Sequence, residues 1–128
     1  MTLQVLAGPV IHEGESLSDP LDCTAGAIVR LTMPHDWTPA NLTFQISTDG
    51  VGFNDLVTFD GKPVTIAVVA GSAVVVAPLS DYLKAVAHLK VRSGTRDHPV
   101  KQAERREFAI AIEVDDESAP AGDPASRR

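Results

Sequence analysis

Residues 42–47 alternate strictly, with Leu42, Phe44 and Ile46 on one face of an extended chain and Thr43, Gln45 and Ser47 on the other. A period of two fits a strand with one buried and one wet face, and it fits no helix. The flanks agree. On one side MPHDWTP makes a proline-and-tryptophan corner, whose Thr38-Pro39 bond disfavours helix at Thr38. On the other, Thr48-Asp49-Gly50-Val51-Gly52 is rich in residues that tolerate positive φ. Residues 31–56 therefore read as part of an antiparallel sheet.

The same grammar recurs along the chain. Residues 3–6 and 10–11 form an opening arm, interrupted by Gly8-Pro9, which demotes it to an edge or a linker. A short extended piece follows at 21–24. Residues 27–33 alternate, with Ala27, Val29, Leu31 and Met33 set against Ile28, Arg30 and Thr32. Further strands are expected at 53–59, 64–69 and 73–77. The unbroken AVVVA of the last suggests a strand covered on both faces. Residues 78–85 read either as a helical turn capped by Ser80 or as an irregular crossover. Residues 88–93 place Leu89 and Val91 inward with Lys90 and Arg92 outward. Residues 108–114 place Phe108, Ile110, Ile112 and Val114 on one face. Short strands at this spacing, with no long amphipathic helices between them, predict an all-β antiparallel β-sandwich of jelly-roll type.

At 128 residues the chain fits one domain, and a globule of that size holds a core without disulfide staples. We divide it into an N-terminal arm (1–9), a sandwich domain (10–114) and a tail (115–128). The tail holds two prolines, four acids and no large hydrophobe, a composition that predicts disorder. Its four acids and two arginines leave the rest of the chain at −4 of the total −6. That balance argues against nucleic acid as a partner. No apolar run approaches the ~20 residues of a membrane span, and the N-terminus lacks the basic start and apolar run of a signal peptide. The single Cys23 excludes an intramolecular disulfide and reads as a small buried hydrophobe.

Catalytic and cofactor chemistry finds little footing. There is no nucleophile elbow and no glycine-rich phosphate cradle. Glu13 and Glu15 share a face but have no partner, and His12, His35, His88 and His98 are widely scattered. We assign no catalytic residue, cofactor or metal. Asp49, Asn54, Asp55 and Asp60 surround one loop and supply oxygens of the kind calcium takes, yet the loop lacks alternating ligand positions, so turn chemistry is the stronger reading.

Two surfaces remain. Trp37 and Tyr82 are the only large amphipathic aromatics, and each reads either as a core plug or as a platform for a sugar ring. Six of the eleven basic residues (Lys90, Arg92, Arg96, Lys101, Arg105 and Arg106) lie in one short stretch. It is either a solvated loop or an interface patch for an acidic neighbour. The arm's Leu3, Val5 and Leu6 complete the candidate interface, since an extended apolar segment can add a strand to a neighbouring sheet.

The runs VIHEGESLS at 10–18, MPHDWTPANLTFQISTDG at 33–50, LKVRSGT at 89–95 and PVKQAERREF at 99–108 resemble small accessory proteins of tailed phages, prophages and gene transfer agents. These are head decoration proteins, bases of head spikes or fibres and, in some cases, tail-associated parts. The resemblance covers residues 10–114. It implies a jelly-roll sandwich, made in the bacterial cytoplasm and resident in the virion, that is not an enzyme. Such a chain would work by contact with other virion proteins or copies of itself. The alternative is a glycan-binding sandwich that touches host surface polysaccharide.

Overall fold

The computed structural model describes residues 2–75 and 86–114. These contain eight strands and no helix: β1 (Thr2–Ile11), β2 (Leu21–Asp22), β3 (Ala27–Thr32), β4 (Leu42–Ser47), β5 (Asn54–Asp55), β6 (Ala73–Val75), β7 (His88–Ser93) and β8 (Arg106–Val114). They form two four-stranded sheets, ordered β1-β8-β3-β6 and β2-β7-β4-β5. Every pairing is antiparallel. First pairs with last, second with seventh, third with sixth and fourth with fifth. The chain is thus one long hairpin, folded so that successive strand pairs fall in alternate sheets. That is a jelly roll, closed within each sheet by the β8–β3 and β7–β4 ladders.

The core lies between the sheets and is built from alternate residues of the longer strands. Phe44 and Leu42 of β4 and Leu89 and Val91 of β7 meet Phe108, Ile110 and Ile112 of β8, with Ile28 and Leu31 of β3. All are at most 2% exposed.

Two bulges set the phase. In β3 the register slips between Ile28, opposite Ile112, and Arg30, opposite Ala111. The extra residue, Val29, lets Ile28 and Leu31 face inward together although they are three apart. Simple alternation had put Ile28 outward and Val29 inward, and the bulge corrects it. In β1 the register slips between Ala7 and Val10, at Gly8-Pro9. The slip brings both Leu6 and Ile11 to the inner face, and Ile11 is fully buried.

Residues 2–9, read as an opening arm that is either an edge or a linker, pair with β8 from Thr2 opposite Val114 to Ala7 opposite Ala109. They are an edge strand of the domain, because their alternation matches that of β8. Residues 64–69 do not form a strand. Val64 and Ile66 are buried and Ile66 makes a single bridge to Leu42, so burial without a continuous ladder produced the periodicity. The strand expected at 53–59 shrinks to β5; of the strand expected at 73–77, residues 73–75 form β6, at the end of the described sheet and with Ala73 exposed, and residues 76–77 lie outside the described residues. The turn expected at 78–85 and the tail at 115–128 lie outside the described residues. No helix among the described residues is long and apolar enough to cross a membrane.

Candidate functional site

The outer face of the β2-β7-β4-β5 sheet is less wet than alternation implies. Thr43 and Ser47 are buried, and so is Arg92, whose guanidinium lies along the sheet and pairs with Asp55. Arg92 also donates to Thr43 Oγ1 at 3.4 Å, while Thr43 Oγ1 donates to the Gly94 carbonyl at 2.7 Å. The Arg92 hydrogen bond, more than any other contact, holds the Asp55 carboxyl below its ordinary pKa. Exposed Arg96 approaches the same carboxylate at 3.8 Å. These groups, with Val57 and Pro63, line a pocket of about 330 Å³. Chemically it is a hydrogen-bonding cleft whose strongest charges already neutralise one another.

The polar loop after β7 is fastened down rather than free. Gly94 takes φ +87°, and a Cβ there would stand 2.5 Å from the His98 carbonyl oxygen, so the tight turn requires glycine. Fully buried Gln102 holds the loop to the tryptophan corner. Its side-chain oxygen accepts from Thr38 N at 2.9 Å and Arg106 Nε at 3.1 Å. Its nitrogen donates to Thr38 O at 3.0 Å and Ser93 Oγ at 2.7 Å. Its backbone is also satisfied, by Glu15 O and Gly14 N. Nothing in the sequence marks Gln102, because a glutamine in a polar loop reads as solvated.

The basic stretch therefore splits. Arg92 and Arg106 are buried, which corrects their placement on a surface patch. Arg106 bonds to Gln102 and, at 3.5 Å, to Thr38 Oγ1, with no carboxylate at ion-pair distance among the described residues. Lys101, Arg96 and Arg105 are exposed, and Arg105 leans on Glu107 at 3.4 Å. Lys90 is half-buried, with its ammonium 4.5 Å from the centre of the Phe53 ring.

Trp37 is 8% exposed. Its ring meets Phe108 edge-to-face with centroids 5.5 Å apart, and its indole N–H donates to Ala40 O at 3.1 Å. It plugs one end of the core and offers no open face to a sugar. Tyr82 lies outside the described residues.

The acidic loop uses its own oxygens. Asp49 accepts from Val51 N at 2.8 Å, Gly52 N at 3.1 Å and Ser47 Oγ at 2.9 Å. The two backbone N–H groups, then Ser47, pull its pKa down to about 2. Asp60 bonds to Thr58, and Asp55 is taken by Arg92. Among the described residues no three His, Cys, Asp or Glu side chains gather as a metal site would need. His12 bonds to Asp19 at 2.7 Å on the surface, and the His88 ring packs on Gly50. Burial, then the neighbouring Asp22 charge, pushes the Cys23 thiol up to about 11, which keeps it inert.

The remaining surface is the β1 side of the other sheet. Leu3 and Val5 are 56% and 63% exposed and point outward, with Glu113 opposite Leu3, Ala111 opposite Val5 and Ala109 opposite Ala7. Leu6, expected with them, turns inward and packs against the core. Below Val5 and Ala7 the small residues leave a shallow dent, lined also by Thr32, Met33, Glu107, Phe108 and Ala109. Comparison with protein-family models, curated proteins and solved structures gives no match.

Proposed function

We propose that this chain is a non-enzymatic structural subunit of a phage-like virion or gene transfer agent particle, a capsid-surface decoration or head spike or fibre subunit. It resides in the virion and works by protein–protein contact. A fold alone does not carry a function, so the weight falls on the surface. The observation that carries the reading is the β1 side, where an edge strand without a charged residue presents exposed Leu3 and Val5. Such a surface suits a protein neighbour. Two further observations support it. Jelly rolls recur in viral capsid domains, and residues 10–114 carry the resemblance to virion accessory proteins described above.

Mass spectrometry and cryo-electron microscopy of particles purified from producing cells test this directly. The expected result is the chain at a fixed copy number per particle, with a sandwich-sized density at repeated positions. Particles that lack it while the soluble lysate contains it would end the proposal. Deleting residues 1–9 is not a clean test, because it strips β8 of its ladder partner.

A second reading, contact with host polysaccharide, draws on the pocket of Thr43, Asp55, Arg92 and Arg96 rather than on Trp37. It predicts glycan-array binding that Arg96→Ala abolishes without unfolding the protein. A silent array would remove it.

A further inference from the structure

We infer that β1 is a self-association edge, along which two copies of this chain pair antiparallel to make one continuous eight-stranded sheet. The inference stands on the fold alone and holds whether or not the protein belongs to a particle.

The outward side of residues 3–7 dictates the kind of partner. Beyond β1 no described strand follows in its sheet, so the outward backbone groups of residues 3–7 face no strand among the described residues. A row of such groups is satisfied best by another extended chain. Natural edges are usually blunted by shortness, charge, proline or a bulge. The other described edges are short: β2 and β5 have two residues and β6 has three. β1 has ten, none charged, and its bulge and Pro9 come only after Ala7.

The composition of the strand selects the occupant. About Gln4 the sequence Leu3-Gln4-Val5 is close to its own mirror image. A two-fold axis through Gln4 sets it against Gln4 of the second copy, and sets Leu3 against the second copy's Val5. Leu3 and Val5 share the outer face, so four exposed hydrophobes, two from each copy, meet in one cluster. The two Gln4 amides face each other on the opposite side, where each donates and accepts. No charge lies on this strand to oppose the pairing, although each copy carries −6 overall. The chain's own residues 115–128 make a poor occupant, with two prolines, four acids and no large hydrophobe to cover Leu3 and Val5.

Sedimentation velocity of the full chain from micromolar to millimolar concentration reads the association. The expected result is a reversible dimer. Val5→Lys or Leu3→Lys should weaken it by about a hundredfold, since symmetry counts each change twice. Val51→Lys, at a position 85% exposed on a distant turn, should leave it unchanged. Facing residues in an antiparallel pair lie about 4.5–5.5 Å apart at Cα, within disulfide reach. Gln4→Cys should therefore cross-link into a covalent dimer under mild oxidation, whereas Thr48→Cys should not. Near-native circular dichroism of both lysine variants separates lost pairing from lost folding. A monomer at every concentration overturns the inference. So does a dimer indifferent to both lysines, or one in which Gln4→Cys fails to cross-link. A monomer would leave the particle reading standing, since that reading is tested on particles.

Discussion

Replacing Gln102 by leucine removes a fully buried amide whose two hydrogens and two acceptor sites are all in use. Leucine is close in size, so the cost comes from the partners left behind rather than from a cavity. Thr38 is half-buried, and water can replace what its backbone loses. Ser93 is fully buried and Arg106 is 7% exposed, so neither is easily rescued. An orphaned buried neutral group costs about 1 kcal/mol and a charged donor about 2 kcal/mol, giving a loss of about 3 kcal/mol. Against a typical domain stability of about 5–15 kcal/mol that is a large fraction. With an m-value of about 2 kcal/mol per molar, the urea midpoint should fall by about 1.5 M. Trp37 is the only tryptophan and sits beside this network, so its fluorescence follows the transition. Gln102→Glu should be milder. Its carboxylate keeps both accepted bonds and places a charge beside Arg106; Ser93 can turn its hydroxyl to donate to it, and only the half-buried Thr38 carbonyl loses its donor. A leucine variant within about 0.5 kcal/mol of the parent, or a glutamate variant less stable than the leucine one, would refute the reasoning.

Three further outcomes follow from the same geometry. Gly94→Ala, at φ +87° and with Val100 N only 2.9 Å from the new Cβ, should lose about 2–4 kcal/mol by thermal or urea unfolding; Gly52→Ala, which meets nothing within 4 Å, should be near neutral. Asp49 has a folded pKa of about 2, below its ordinary value of 3.8, so its stabilisation is present above that ordinary value and drains away as pH falls through the folded one. Urea midpoints across that window should fall more steeply for the parent than for Asp49→Ala, and parallel curves would contradict the assignment. Cys23 should resist a thiol reagent at neutral pH until the protein is unfolded, because burial holds its pKa at about 11; reaction at the rate of a free thiol would contradict it.

The sheet architecture was legible where alternation is uninterrupted. β4, β7 and β8 announce their inner faces by Leu42/Phe44, Leu89/Val91 and Phe108/Ile110/Ile112, and all seven are buried. It failed where the backbone carries an extra residue. The bulge at Val29 reverses the apparent phase of Ile28, and no residue type there signals it. Composition also hid the burial of Arg92 and Arg106, since arginine reads as surface until a partner such as Asp55 or Gln102 is brought across the fold. Those partners are 37 and four residues away, and only topology joins the first. The β1 side was legible in part. The apolar row was visible, but its pairing with a strand about a hundred residues downstream was not.

The position of β8 has a consequence for how the protein is made. It leaves the ribosome after the seven other described strands, yet it forms the ladder on both flanks, against β1 and β3. Until it emerges, that layer has no middle, and uncharged β1 must wait on the nascent chain without its ladder partner. A product cut short before Arg106 would not be a smaller version of the domain. It would be half a sandwich, with sticky edges facing whatever else the cell is translating.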